Sequence, residues 1–310
     1  MDIQTLFGVK VPSLLTLSPH PHLTLSPHPH LTASHPFPLP RTNTPQDKVV
    51  LITGGAKGVG RMISEAFVRN GAKVYIASRD AAACDSACAE LNALAASTAS
   101  NGSAIALPAD LSKLAECQRL AAELSKREKA LHVLVNNSGA TWGEPYDNFP
   151  DAAWSKLLTL NLQRVFSLTQ ALTPLLEAAA AQSKQGDVFL DPARVIHIGS
   201  IDAIRTPVLP TFAYSASKAG LHHLARHLAV ELGPRGITNN TLACGPFPSK
   251  MMAATLRDFG EAIKAANPLG RIGMPGDVGG ACIFLASKAG AFMNGATVRL
   301  DGGVALMSRI

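Results

Sequence analysis

Val49-Val-Leu-Ile-Thr-Gly-Gly-Ala-Lys-Gly-Val-Gly60 decides the fold of this chain. Four apolar β-formers run into Thr53, and glycines stand at positions 54, 58 and 60. A short apolar run closed by a glycine-rich turn reads as a buried strand. Behind it, Arg61–Asn70 places Met62, Ile63, Ala66 and Phe67 at helical spacing. The glycines permit a tight turn and a close approach of backbone to a pyrophosphate. The helix then aims its free N–H groups and the positive end of its dipole at those phosphates. Alone, a glycine triplet is weak; a strand before it and a helix behind it make it strong.

Outward from this unit the alternation continues to the end of the chain. Lys73–Ala77, Ala104–Leu107, Val133–Val135, Val195–Ile198, Thr238–Leu242 and Thr297–Leu300 are short Val- and Ile-rich runs. Between them lie helix-like segments: Ala81–Ala96, Leu114–Lys129, Trp154–Gln182, Ala213–Leu232 and Asp277–Ser287. Seven strands, most of them continuously apolar rather than alternating, imply a parallel sheet with helices on both faces. Residues 47–310 therefore read as a single doubly wound α/β domain of Rossmann type.

The end of the second strand faces the adenosine ribose in such a domain. An acidic residue there suits the 2′-hydroxyl of NAD, and a basic one suits the 2′-phosphate of NADP. The chain reads Ile76-Ala-Ser78-Arg79-Asp80, with Ser78 in the expected acidic place and Arg79 after it. Lys57 in the glycine loop adds a second cation, so NADP(H) is the expected cofactor. Asp80 argues the other way if it, rather than Ser78, faces the ribose.

Tyr214-Ser-Ala-Ser-Lys218 sets a phenol one helical turn from an ammonium group. A lysine held there is expected to favour the phenolate and to lower the phenol's pKa from about 10. Ser200 lies fourteen residues upstream, at the end of Val195-Ile-His-Ile-Gly199, where a hydroxyl could hold a substrate oxygen.

With these residues in view, the chain resembles the classical short-chain dehydrogenases/reductases over essentially all of 47–310. Thr53-Gly54-Gly-Ala-Lys57-Gly58-Val59-Gly60 resembles the family's T-G-x-x-x-G-x-G loop, and Ala109-Asp110-Leu111 its adenine-side acidic position. Asn136-Asn137-Ser138-Gly139 is similar to N-N-A-G, with serine for alanine. Asn161, Ser200, Tyr214 and Lys218 match the catalytic tetrad. The resemblance is greatest to 3-oxoacyl-[acyl-carrier-protein] reductase-like members, including the rhamnolipid-type branch. It rests on Leu131–Gly139 and Ala243-Cys-Gly-Pro-Phe-Pro-Ser249, and it carries the expectation of a fungal source.

The resemblance implies an NADP(H)-dependent oxidoreductase that moves a hydride between nicotinamide and a carbonyl or secondary alcohol. Tyr214 would exchange the proton with the substrate oxygen, and Ser200 would donate to that oxygen. Lys218 would lower the tyrosine pKa and bind the nicotinamide ribose. Asn161 would hold a water linking Lys218 to solvent. The cofactor would lie on Thr53, Gly54, Lys57, Gly58, Val59, Gly60, Ser78, Arg79, Asp110, Leu111, Asn137, Ser138, Gly139, Tyr214, Lys218, Gly245, Pro246 and Ser249. One departure stands out: the family has Pro-Gly after the sixth strand, and this chain has Gly245-Pro246. The 3-oxoacyl thioester, a secondary-metabolite ketone and a small secondary alcohol stay open as substrates. Residues 247–263, with Met251, Met252, Leu256 and Phe259, should form a lid over the substrate. A homotetramer and a cytoplasmic location are expected on the same ground. The alternative of another class is a non-catalytic NADP(H)-sensing regulatory protein, against which a complete tetrad stands.

Several of these residues have plainer roles open to them. Asn136 and Asn137 could cap a strand end, and Asp110 could cap the helix near Leu114. His222, His223 and His227 read as packing or surface residues, and His197 as a satisfied core histidine. The five cysteines form no C-x-x-C pair, which suits reduced thiols, and Cys244 reads as a small buried hydrophobe. No metal site is expected. The net charge of +6 is scattered, without a basic face for nucleic acid, and no uncharged apolar run reaches the length of a membrane span.

The first 46 residues differ from the rest. Residues 11–40 hold eight prolines and no Asp, Glu, Lys or Arg, and Thr16–Leu23 repeats unchanged as Thr24–Leu31. The segment 11–46 reads as low-complexity and disordered or polyproline-like. Histidine-based metal binding lacks acidic or thiol partners here, and a mitochondrial presequence lacks arginine before Arg41. Without residues 11–46, Leu6–Lys10 runs straight into Asp47-Lys-Val-Val, a natural lead into the first strand. Valine codons begin GT and a glutamine codon can end AG, so Val11–Gln46 has the boundaries of a retained intron.

Overall fold

The computed structural model describes residues 45–307, so the Pro/His-rich segment expected over 11–46 lies outside them except for Pro45 and Gln46. The main sheet comprises β1 (Val49–Thr53), β2 (Lys73–Ala77), β3 (Ser103–Ala106), β4 (Val133–Asn136), β7 (Ala193–Ile198), β8 (Ile237–Cys244) and β9 (Thr297–Leu300). All of its pairings are parallel, in the order β3-β2-β1-β4-β7-β8-β9. Val50 is in register with Val74 on one side and Val133 on the other. The strand order reverses between β1 and β4. In an open α/β sheet that switch point leaves a crevice outside the carboxyl ends of the strands.

Side chains alternate across a strand, and both faces of this sheet are covered. Val50 and Ile52 enter one core with Ile63 and Phe67 of α1 (Gly58–Arg69), Cys84 and Leu91 of α2 (Ala81–Ser97), and Val278 and Leu285 of α8 (Pro275–Ala286). Val49 and Leu51 enter the other with Leu120 of α3 (Leu114–Arg127), Leu172 of α5 (Arg164–Ala181) and Leu228 of α6 (Phe212–Leu232). Burial on both faces is why the strands lack a polar alternation.

At the opposite end of the sheet from the glycine loop, Asp191 pairs with Lys48 at 2.9 Å and Arg194 at 2.8 Å. Lys48 also donates to Ala286 O, and Arg194 to Leu285 O and Ser287 O. Two cations thus satisfy the last carbonyls of α8, where the helix dipole is negative. Burial lowers the pKa of both cations, and their ion pairs with Asp191 oppose that fall.

The helix predicted over Trp154–Gln182 is broken. α4 (Asp151–Leu158) passes through a π turn, Thr159–Gln163, before α5 begins. Arg164 N–H reaches back to Thr159 O across that turn. A hairpin of β5 (Lys184–Gln185) and β6 (Val188–Phe189) follows α5, too short to show as a periodic pattern. The predicted lid folds largely as a helix, α7 (Ala253–Ala265).

Candidate active site

The glycine loop is a braced turn. Gly54 and Gly58 have φ of +66° and +55°, left-handed values that a side chain rarely adopts. Around Gly60 there is no room for a Cβ, because Gly54 O and Asn137 Nδ2 already fill that space. Asn137 Nδ2 donates to Thr53 O at 2.8 Å and to Gly54 O at 3.3 Å. Thr53 Oγ1 accepts from the N–H groups of Asn137 and Ser138, both at 2.9 Å. Thr53 and Asn137 therefore join β1 to β4 with the side chains expected to face the cofactor. Ser64 supplies a further brace, its hydroxyl donating to Gly60 O or Gly55 O. The sequence reading passed over Ser64, and its place one turn into α1 was the available signal. Val59 packs against the core.

At the end of β2, Asp80 caps α2, accepting from Ala83 N at 3.0 Å, and pairs with Lys57 at 2.8 Å. Its carboxyl lies below the usual range, chiefly through the Lys57 hydrogen bond. Asp80 is thus engaged with the helix and the glycine loop, while Arg79 is exposed with no polar partner among the described residues. Ser78 gives its carbonyl to Ala109 N and stands partly open. Asp110 accepts from Ser112 N and Oγ and does not cap α3, whose N-cap is Lys113. The Ser112 hydrogen bond is the main reason its carboxyl also lies low. Leu111 is buried in the core beside Cys117 and Leu120, so only its backbone is available to a cofactor.

Across the switch point the four tetrad positions come together. Asn161 is wholly buried in the π turn. Its amide oxygen accepts from Ala140 N, and its nitrogen donates to Ala140 O and Ser217 Oγ. The amide is therefore committed to the protein, not directed at Lys218. A Cβ on Gly139 would stand 3.2 Å from Asn161 Oδ1 and 3.6 Å from Lys218 Nζ. The missing side chain leaves the floor beside the lysine open.

Lys218 is buried and donates to Ile198 O at 2.7 Å, and burial brings its pKa down to about 8. Its nitrogen lies 5.8 Å from the centroid of the Tyr214 ring. The expected lowering of the tyrosine pKa does not occur. Burial pushes Tyr214 up to about 12, the Ser200 hydrogen bond pulls the other way, and the Asp202 carboxylate adds to the rise. The lysine charge is spent on a carbonyl, so desolvation dominates.

Ser200 ends the β7 segment and caps a short turn, Ile201–Ala203. Its hydroxyl oxygen accepts from Asp202 N at 3.1 Å. Its own N–H donates to His222 Nε2 at 3.4 Å. His222 is held neutral by burial and by Lys218, with a pKa near 4, so it serves as that acceptor rather than as mere packing. His197 meets Asn136 Nδ2 at 3.4 Å through Nδ1, but its Nε2 lacks a hydrogen-bond partner among the described residues. It is a core histidine only half satisfied. Asn136 turns inward to Thr169 Oγ1 and does not cap the strand. His223 and His227 stack on the outer face of α6.

Beyond β8, Gly245 N–H pairs with Leu300 O, and Pro246 O accepts from Gly273 N. The Gly-Pro departure thus fastens this loop to β9 and to the turn before α8. Phe247 is buried against Gly273. Ser249 caps the next turn through Met252 N, and its Cβ would stand 3.0 Å from one added at Gly58. The slot over the glycine loop is therefore bounded by Ser249. Cys244, its thiol pushed up to about 12 by burial, stays protonated. In α7 no residue is buried, and Met251 and Phe259 are exposed. Glycines without room for a side chain, a helix N-terminus and an open floor beside Lys218 fit a dinucleotide. Among the described residues there is no metal-ligating cluster, and no helix is long and apolar enough to cross a membrane.

A seven-stranded sheet with this loop and tetrad belongs to the short-chain dehydrogenase/reductase family, and comparison with known proteins agrees. A family model described as enoyl-(acyl carrier protein) reductase matches residues 54–305. The rhamnolipids biosynthesis 3-oxoacyl-[acyl-carrier-protein] reductase of Pseudomonas aeruginosa is 40% identical over 258 residues, 83% of this chain and 95% of that protein. The short-chain dehydrogenase/reductase PhomF of Diaporthe leptostromiformis is 33% identical, over 82% of this chain and 90% of its own. The solved Pseudomonas aeruginosa RhlG/NADP active-site complex is similar with a TM-score of 0.77 at 39% identity, over 85% of this chain and 98% of that one. This chain is a member of the short-chain dehydrogenase/reductase family, and an oxidoreductase. The expected fungal source is not borne out, because the relatives come from Pseudomonas, Diaporthe and Arabidopsis alike.

Proposed function

We propose that this chain is an NADPH-dependent carbonyl reductase acting on a 3-oxoacyl or related ketone. The convergence of Ser200, Tyr214, Lys218 and Asn161 beside the braced glycine loop carries that reading. The similarity to a 3-oxoacyl-[acyl-carrier-protein] reductase, and to a relative solved as an NADP complex, supports the substrate class and the cofactor.

The diphosphate would lie on Gly54, Gly58, Val59 and Gly60, against the N-terminus of α1 and under Ser249. The adenosine end would reach Ser78, Asp110 and the Leu111 backbone. With Asp80 tied to α2 and Lys57, the exposed Arg79 is the group left to meet a 2′-phosphate. The ring and its ribose would lie by Ser138, Gly139, Lys218 and the Gly245-Pro246 turn. NADPH, when bound, supplies the hydride.

Tyr214 is held protonated by burial and is suited to give its proton to the substrate oxygen during reduction. Ser200 already accepts from Asp202 N–H, so its own proton is free to be donated to the same oxygen as charge develops there. Lys218, with a pKa near 8, exchanges protons close to neutral pH and can resupply the phenol. Since the Asn161 amide is committed, a water link to Lys218 would run along the carbonyl groups displaced by the π turn.

NADPH oxidation across a panel of carbonyl compounds, with NADH in parallel, tests the proposal. Turnover of several ketones with NADPH is expected, and none with any carbonyl would overturn it. Residues 47–310 are taken as the catalytic unit and 11–46 as a retained intron. Sequencing of transcripts should show the dominant message without that segment. A homo-oligomer is proposed through α5 and α6, where Leu162, Phe166 and Leu224 line an apolar groove of 390 Å³, with light scattering as its check. A cytoplasmic location is likewise proposed, for testing by fractionation.

A further inference from the structure

The tetrad accounts for Ser200 and Tyr214, yet an acid stands beside them with no evident task. Asp202 lies two residues past Ser200, in the turn Ile201–Ala203, and its N–H is the group that holds the Ser200 hydroxyl oxygen. The turn packs against α6, which carries Tyr214 and Lys218. Asp202 is half-buried, and its carboxylate has no hydrogen-bond or ion-pair partner among the described residues. Its charge raises the pKa of the Tyr214 phenol. The turn therefore sets Asp202 beside Ser200, on the segment that packs against the helix carrying Tyr214.

Arg205, three residues on, is the nearest cation to act on Asp202, but it does not pair with it. Its Nη1 donates to Val304 O, and its Nε is buried without a partner. A carboxylate losing its water without a partner is costly, and burial pushes its pKa up. A ligand that brings a donor would relieve that cost. A plain 3-oxoacyl thioester offers only carbonyl acceptors near the reacting carbon, which would meet the carboxylate unfavourably. Phe212, at the start of the helix that carries Tyr214, meets Tyr146 edge-on at 6.0 Å and Phe149 at 5.5 Å.

We propose that the Asp202 carboxylate is a specificity-determining group, and that the favoured ketone carries a hydrogen-bond donor, a hydroxyl or a protonated amine, close to its carbonyl. This rests on the reductase reading and, within it, favours a related donor-bearing ketone over a plain 3-oxoacyl thioester.

The test uses the full chain with NADPH and three matched ketones: an unsubstituted aliphatic ketone, its α-hydroxy counterpart and its α-amino counterpart. The full chain should reduce at least one donor-bearing ketone with a kcat/KM roughly tenfold or more above that of the plain ketone, since hydrogen bonds to charged groups are worth that much. Asp202→Asn should keep part of the preference for the hydroxyl and lose that for the amine. Asp202→Leu should erase or invert both, while NADPH affinity and the Tm of each variant stay near those of the parent. A preference for the amine alone assigns an ammonium ligand, and one for both assigns a hydroxyl or amine donor. Equal reduction of all three, unchanged in Asp202→Leu, overturns the assignment but leaves the reductase. A fall in Tm with unchanged substrate ratios makes Asp202 a structural partner of Arg205 and also overturns it. No reduction of any carbonyl compound defeats the reductase reading itself.

Discussion

The two halves of the cleft are built differently. On the cofactor side, Thr53, Ser64, Asn137 and Asp80 each spend a side chain on holding a neighbouring loop. On the substrate side, α7 buries none of its residues, Met251 and Phe259 face outward, and Asp202 is unpaired. The first half is shaped when the sheet forms, because its braces link β1 to β4. The second, at α7, is held by no buried side chain of its own. Affinity for a common cofactor suits the rigid half, and choice of substrate suits the loose one.

The largest effect is expected at the boundary of the halves. Tyr214→Phe should reduce turnover by at least about a hundredfold, the usual worth of a positioned acid, with NADPH affinity nearly unchanged. Steady-state kinetics beside a fluorescence titration of NADPH would show it. A parallel loss of binding would mean that the tyrosine belongs to the cofactor half.

Lys218 should reveal itself in a pH series of stability. Its folded pKa, near 8, lies below the value of 10.5 in the unfolded chain. Between those values the unfolded chain holds a proton that the folded chain has lost, so stability rises with pH across the window. The rise should be about 1–3 kcal/mol in urea titrations and absent from Lys218→Met. Equal slopes in both would show that burial of the lysine is not costly.

Asn137→Ala removes two hydrogen bonds from under the glycine loop and should lower stability by about 1–3 kcal/mol and NADPH affinity with it. If the loop binds NADPH as before, its shape comes from the glycines alone. Arg79→Asp should weaken NADPH about tenfold or more and leave NADH little changed, with binding titrations of both as the check. Equal losses would return the ribose to Asp80.

The smallest effect belongs to the loose half. Met251→Ala and Phe259→Ala should alter stability by less than about 0.5 kcal/mol, as exposed positions do, while shifting KM for a bulky ketone. A large drop in Tm would show that α7 is part of the core.

The alternation of strands and helices was legible because burial on both faces leaves most strands as short apolar runs, β8 with its buried Asn239 and Asn240 excepted. The tetrad was legible because its residues are chemically rare in combination. The π turn at Thr159–Gln163 was not, since Asn161 lies within a helical pattern that only its contacts with Ala140 and Ser217 interrupt. The role of Asp80 was not legible either. Whether an acid meets a ribose or caps a helix depends on a rotation at one strand end that no spacing records. Ser64, an ordinary helical serine in one dimension, acquires its partners only when the loop folds back over it.

By itself the sequence determined the class of fold, the glycine-rich loop and the four residues proposed here for proton transfer, because periodicity and motif spacing are local properties. The tertiary structure alone decided how those groups are tuned. It raised Tyr214 through burial, turned Lys218 onto Ile198 O, engaged Asp80 with Lys57 and left the Asp202 carboxylate without a hydrogen-bond partner among the described residues. Those outcomes depend on which distant groups share a desolvated space, and that is a property of the packed chain.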